Sequence, residues 1–451
     1  MSGVTEFELV VSLSVRSNLC PEVTELETNL DSETEQKEER TVKLKTFVFA
    51  IVALFATSFA QADCAFTGSG SVKILSNDFP AINAINAAAL ECNSSSLTVT
   101  ANATTEHQDI QVEALTANPA NFNVVVVASS SIVTLNSAGL IRPLNDLVAK
   151  YGSHLAPSQL ATIDGNIMGI AFMANAQHLF YRTDILEAAG VAPPKTYEEI
   201  IAAAEAIRSA GLMQYPITGT YKAGWNLAEE FVNLFLGTGG EFFEPGTAAV
   251  SVNNGNGVAT LNMMKQLASY MHPDYLTFDS ALCAPQMAQG EAAIANLWGS
   301  RAAYVLDPAN QADAVTGNIA FASAATIGGG NIPSSTLWWD GWTIATNQTD
   351  EEAETAFRVM LEGTDAEMVQ GNNDLTVWLD SAYEIQPAAA GVFATASAGA
   401  KSYPMVPYMG MLHTALGSNI PDFLQGKESA SQTLTDITDA YNAAAKEAGY
   451  L

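Results

Sequence analysis

Four consecutive valines, Val124 to Val127, restrict this chain more than any other feature. A β-branched run with no polar interruption has no face to give to water, so it fits a strand covered on both sides, as in a parallel sheet flanked by helices. The preceding sequence supplies the rest of such a unit. Residues 71–75 read as a strand, 81–90 as a helix, 97–100 as a strand, 107–115 as a helix and 123–128 as the valine strand. That order is β-α-β-α-β, and open sheets of this kind take ligands at the carboxyl ends of their strands. Asn77 and Asp78, the stretch from Thr104 through Glu106, His107 and Gln108, and Ser129 to Ser131 all fall at such ends. For the Glu106-His107-Gln108 stretch, a solvated helix start remains the alternative.

Further on, Thr196 and Glu199 have the spacing of a capping box, and Ile200, Ile201, Ala204 and Ile207 form one apolar helical face. Helical patterns recur at 227–236, 257–270, 351–361 and 433–448. The 451 residues, 48% of them hydrophobic, can fill two cores. Helix and strand patterns alternate without a break or a linker, so any division into lobes must interleave segments. With 48 acidic residues against 18 basic ones and a net charge of −30, the surface repels nucleic acid and anionic lipid.

Lys43, Lys45 and the apolar run from Phe47 to Phe59 have the form of an export signal, followed by the small-x-small site Ala60-Gln61-Ala62. The run is shorter than the roughly 20 residues that span a bilayer, so cleavage after Ala62 and a periplasmic location are expected. Residues 1–41 then precede a signal that should itself be N-terminal, and read as a mis-assigned start or a disordered leader; Val42 is the expected true start. An oxidising compartment permits disulfides. Cys64 and Cys92 are close in sequence and flank the first strand and helix, so they are expected to pair, leaving Cys283 as a buried thiol. The histidines show no ligand spacing with one another or with cysteine, so no metal and no cofactor is expected.

Six tryptophans carry the best clue to a ligand. Trp338-Trp339-Asp340-Gly341-Trp342 packs three indoles and a carboxylate into five residues. Sugar rings present apolar C–H faces that pack on indole, while their hydroxyls need carboxylate acceptors and amide or guanidinium donors. Strand alternation sends Trp338 and Asp340 to one face and Trp339 to the other, so either Trp338 or Trp339, not both, is expected in a cleft. Trp225 follows Lys222-Ala223-Gly224 and opens a helix; Trp298 ends an apolar strand and precedes Gly299-Ser300-Arg301. Core packing remains open for these indoles and for Trp378. Neither a Gly-x-Ser-x-Gly nucleophile motif nor a phosphate loop is present, so no enzyme is indicated; a hidden carboxylate pair of a secreted carbohydrate-active enzyme is the remote alternative.

The stretches Asp164-Gly165-Asn166-Ile167-Met168-Gly169-Ile170, Tyr181-Arg182-Thr183-Asp184-Ile185-Leu186 and Ala189-Gly190-Val191-Ala192-Pro193-Pro194-Lys195-Thr196-Tyr197-Glu198-Glu199 closely resemble the family 1 extracellular solute-binding proteins, the carbohydrate-binding group related to maltose-binding protein. Gly139 to Leu144, Gly290 to Ala293 and Gly426 to Ser429 extend the resemblance to most of residues 71–451. It implies an α/β, two-lobed periplasmic-binding-protein fold of type II, closing on ligand by a hinge. The implied N-lobe is 63–171 and 342–378 and the C-lobe 172–341 and 379–451, with crossings near Ala171-Phe172, Gly341-Trp342 and Trp378. It further implies a monomer that hands its ligand to the permease subunits of an ABC importer. A neutral sugar, polyol or short glycoside leads as ligand. An anionic derivative such as a sugar acid, sulfonated sugar or phosphodiester is the alternative, for which Arg301 is the placed cation. Trp225 and Trp298 would face the ligand from the C-lobe; Asn175, just past the first crossing, is a polar candidate on the N-lobe side.

Overall fold

The valine strand is the covered strand that its composition demands: Val124 through Val127 are all fully buried. The computed structural model describes residues 64–451, so the expected leader and signal lie outside the described residues. The strands are β1 (Gly70–Ser76), β2 (Leu97–Ala103), β3 (Val124–Ala128), β4 (Leu160–Ile163), β5 (Asn166–Asn175), β6 (Gln177–Arg182), β7 (Ile217–Gly219), β8 (Ile294–Trp298), β9 (Ile319–Ala322), β10 (Thr336–Ile344), β11 (Val377–Trp378) and β12 (Lys401–Ser402). Eight of them form one sheet with the path β11-β5-β10-β3-β1-β2, to which β12 adds beside β10 and β4 beside β5. The other four form a second sheet in the order β7-β8-β6-β9. In the larger sheet β1 pairs in parallel with both β2 and β3, as the β-α-β-α-β pattern predicts, while β10 runs antiparallel to β3 and β5.

Each sheet has its own core. Ile74, Ile82, Ile85, Val124, Val126, Phe172, Trp342 and Phe357 lie in the lobe of the eight-stranded sheet, and Leu227, Phe231, Phe235, Leu416, Leu434 and Ile437 in that of the four-stranded sheet. The capping box forms as spaced: Thr196 Oγ1 accepts the Glu199 N–H at 3.1 Å, and Glu199 Oε2 accepts the Thr196 N–H at 3.3 Å. Arg142 pairs with Asp350 at 2.6 Å and Arg182 with Asp184 at 2.6 Å, both in the scaffold.

The chain leaves the larger sheet for the smaller across a single residue, Ala176, between β5 and β6. The return is complete at Thr336, where β10 begins. Ala171-Phe172 and Gly341-Trp342, expected at crossings, sit instead inside β5 and β10, because both strands continue through the larger sheet. The β5–β10 register shifts between Asp340 and Gly341. Gly341 is required there, since a Cβ would come within 2.6 Å of the Ile170 carbonyl oxygen.

Cys64 and Cys92 are joined in a disulfide, and Cys283 is free and buried. The bridge ties the first described residue to the end of the helix Pro80–Leu90, 28 residues on. Replacing both cysteines by serine should lower stability by about 3 kcal/mol through loop entropy returned to the unfolded chain. Guanidinium unfolding of the oxidised protein and the double variant measures it; an unchanged midpoint would show that the bridge contributes nothing.

Candidate functional site

A cleft of about 390 Å³ lies where strand ends of the two sheets face each other. From the lobe of the eight-stranded sheet it receives Asn77, Asp78 and Phe79 beyond β1, and Thr105 to Asp109 beyond β2, the carboxyl ends of parallel strands. From the lobe of the four-stranded sheet come Lys222 to Asn226, Asp279 to Ala281, Trp298, Ser300 and Arg301, with His413, Thr414 and Ser418 on the helix Met409–Leu424. Asn175, Trp338 and Asp340 form the hinge wall.

The aromatic part is built around Trp338, whose ring meets Trp225 at 5.6 Å, Trp298 at 5.5 Å and Tyr403 at 5.3 Å. Trp338 and Trp298 are buried, whereas Trp225 is half-buried, so Trp225 has the indole surface to offer a ligand. Its position is fixed from behind. His413 stacks on it at 5.1 Å, with its Nε2 at 2.9 Å from the Trp225 carbonyl oxygen and its Nδ1 at 3.0 Å from the Tyr403 hydroxyl. A carbonyl can only accept, so Nε2 carries the proton and Nδ1 accepts from Tyr403. Burial lowers the His413 pKa to about 4, which keeps this ring neutral and this tautomer in place. Gly224 takes a positive φ of 94°, and a Cβ on Gly417 would lie 2.4 Å from the Gly224 carbonyl oxygen; the two glycines let the helices close up beneath Trp225.

The polar part is asymmetric. Asp78, Glu106, Asp109, Asp279 and Asp340 bring carboxyl groups to the cleft, against Lys222 and Arg301. Lys222 already pairs with Asp279 at 3.3 Å. Arg301 lies over the Phe79 ring at 4.7 Å and donates from Nη2 to Ser280 Oγ at 3.0 Å. Part of its side chain is exposed, yet Nε and Nη1 are shielded from solvent and have no protein partner. Desolvation lowers its pKa to about 10, opposed by the nearby Asp279, Asp340 and Asp78 charges. Desolvation likewise raises Asp340 to about 7, against the Trp338 indole N–H and the Arg301 charge. His107 is buried with neither ring nitrogen bonded, and burial lowers it to about 4.

Of the residues singled out in the sequence, Trp338, Asp340, Trp225, Trp298, Arg301, Glu106, His107, Gln108, Asn175, Asn77 and Asp78 line this cleft. Trp339, Trp342 and Ser129 are outside its lining. Trp339 points to the opposite face of β10, packed against the cluster that includes Leu135, Ile141 and Met168, and its backbone N–H donates to Ser129 Oγ at 3.2 Å. Trp342 is fully buried edge-on against Phe172 at 5.6 Å. Trp378 is buried too, donating to the Asn372 carbonyl at 2.8 Å. Asn175 spends its amide on the protein: Oδ1 accepts from the Ala176 and Ser300 N–H groups, and Nδ2 donates to Ser300 Oγ. Asp279, Ser280, His413, Thr414 and Ser418 were not anticipated. Among the described residues the one grouping of three possible metal ligands is Cys64, Cys92 and Glu362, whose sulfurs are joined.

Two α/β lobes meeting over an aromatic, polar cleft define a binding-protein class of fold, and the family comparison agrees. The chain belongs to the bacterial extracellular solute-binding proteins, whose family profile matches residues 98–363. It is similar to the sn-glycerol-3-phosphate-binding periplasmic protein UgpB of Agrobacterium fabrum, with 29% identity over 119 residues, 24% of this chain and 27% of that protein. A probable ABC transporter-binding protein of Deinococcus radiodurans is 28% identical over 203 residues, 41% of this chain and 44% of that one. These matches span less than half the length of the curated relatives. Among solved structures, maltose-bound MalE3 of T. maritima aligns with TM-score 0.72 and 17% identity over 83% of this chain and 99% of that one. A ribitol-bound ABC transporter solute-binding protein of Agrobacterium radiobacter K84 gives 0.72 and 18% over 84% and 99%. At such identities the likeness carries the fold, that of the two-lobed periplasmic binding proteins.

The raised Asp340 pKa has a consequence for stability. An aspartate free in the unfolded chain titrates near about 3.9, so between about pH 4 and about pH 7 the unfolded state gives up a proton that the native state keeps. The stability tied to this group is complete below that window and lost as pH rises through it. Thermal melting of Asp340→Asn against the parent should show the variant gaining relative stability across the window; a pH-independent difference would contradict the assignment.

Proposed function

We propose that this chain is the ligand-capturing subunit of an ABC importer, exported and cleaved after Ala62, which binds a neutral sugar, polyol or short glycoside between its lobes and presents it to the permease subunits as a monomer. Membership of the solute-binding family supports the general role. The observation that carries the ligand class is the pairing of the half-buried Trp225 indole with the unbonded Nε and Nη1 of Arg301 in a cleft rich in carboxyl groups. A polyhydroxyl ring meets all three: its C–H face packs on indole, and its hydroxyls accept from guanidinium and donate to carboxylate. Residues up to Asn175, with β10 and β11, are taken as the N-lobe, a division supported by the sheet that these strands share. Among the described residues no helix is long and apolar enough to cross a membrane.

An anionic ligand is the second reading, favoured by Arg301 and by the name of the Agrobacterium fabrum relative. The carboxyl groups weigh against it, because Asp78, Asp279 and Asp340 already face the Arg301 charge. A thermal-shift screen over sugars, polyols, sugar acids and glycerol phosphates separates the two, since a ligand of the native state raises the melting temperature. A neutral compound should give the largest shift, and Trp225→Ala should weaken its binding about tenfold or more. A shift confined to anions, abolished by Arg301→Ala, would replace the neutral reading; no shift with any of them would sink the carbohydrate assignment.

A further inference from the structure

Trp225, Glu229 and Asn233 recur every fourth residue along the helix Trp225–Gly237 and so form one stripe on its surface. That stripe lies along the beginning of β10. Trp225 meets the Trp338 ring edge-on at an interplanar angle of 80°. One turn further, Glu229 Oε1 accepts from Thr336 Oγ1 at 2.7 Å; after another turn, Asn233 Oδ1 accepts the Thr336 N–H at 2.7 Å. Four helical residues rise about 6 Å and two strand residues about 6.6 Å, so the step from the Trp225–Trp338 contact to the Glu229–Thr336 contact is matched along the two elements.

Glu229 and Asn233 are fully buried in a helix whose other inward side chains, Glu230 apart, are Leu227, Ala228, Phe231, Val232, Leu234 and Phe235, and Thr336 is fully buried at the start of β10. Packing alone calls for apolar side chains there. Polar ones add direction, because a hydrogen bond fixes position along a strand where apolar contact tolerates sliding. We propose that Glu229 and Asn233 are positioning residues for the cleft: they lock the helix that carries Trp225 to the strand that carries Trp338 and Asp340, and so set the geometry of the aromatic wall without touching the ligand. Neither residue lines the cleft. Burial and the neighbouring Glu230 hold the Glu229 carboxyl well above the usual carboxylate range, so a glutamine preserves both its neutrality and its acceptor. Glu230 extends the device, accepting from Gln177 Nε2 at 2.8 Å and from the Thr220 hydroxyl, so the same helix also holds the first residue of β6.

The role in affinity rests on the binding function proposed above, whereas the positioning itself is read without any ligand. In the ligand-free protein, near-UV circular dichroism of the parent, Trp225→Phe, Trp338→Phe and the double variant isolates the signal of the coupled indole pair. Glu229→Ala and Thr336→Val should reduce that signal at least severalfold, and Glu229→Gln should retain it. Thr336→Val removes only a hydroxyl and keeps the test available where Glu229→Ala fails to fold. A pair signal unchanged in both disruptive variants, or lost equally in Glu229→Gln, overturns the proposal. With a sugar from the thermal-shift screen, Glu229→Ala should weaken binding about tenfold well below its melting temperature. That effect should vanish in a Trp225→Ala background; an equal loss in both backgrounds refutes action through Trp225. Failure of the parent to bind any sugar would refute the proposed ligand class and leave the spectroscopic result to decide the positioning role.

Discussion

Of the segments that join the two lobes, β10 is the one that also carries the cleft's aromatic wall. Thr336, at its start, is held by a helix from the lobe of the four-stranded sheet, and Trp342, near its end, is buried in the core of the other lobe. Between them Trp338 and Asp340 face the cleft. The two-residue period of a strand and the register shift at Gly341 distribute these environments over nine residues. Rotation of one lobe against the other must therefore pass through the segment that also shapes the site, as expected of hinge closure.

The electrostatics of the cleft follow from what burial does to charge. Desolvation opposes ionisation of Asp340 and holds His413 and His107 neutral, while Arg301 keeps its charge beside carboxyl groups. The result is a site with donors and acceptors placed to serve both ends of a hydroxyl group, and with one partly exposed indole supported by a neutral histidine. In the neutral-ligand reading proposed above, such a site gains little from a ligand's net charge. It gains most from a ligand that satisfies the Arg301 donors without displacing the carboxyl groups around them.

Much of this was legible in the sequence. The valine run fixed a covered strand, the spacing of Thr196 and Glu199 marked a helix start, and strand alternation correctly put Trp338 and Asp340 on one face with Trp339 on the other. Alternation gives a face but no depth, which is why Trp342, sharing the parity of Trp338, turned out to lie in a core where helices cover the sheet. The crossings were displaced because the pattern does not reveal where a strand changes lobes when both lobes continue the alternation. Asp279, Ser280, His413, Thr414 and Ser418 carry no local signal; tertiary packing brings them to Trp225, above all the close approach of Gly224 to Gly417.

The central claim is that a polyhydroxyl ligand sits between the lobes, on Trp225 and against Arg301 and Asp340. A crystal structure of the protein with the compound that raises its melting temperature most tests this directly. The ligand is expected with one ring face on the Trp225 indole, hydroxyls bonded to Arg301 and Asp340, and contacts from both lobes. A ligand bound outside this cleft, or held by one lobe alone with Trp225 and Arg301 untouched, would contradict the account.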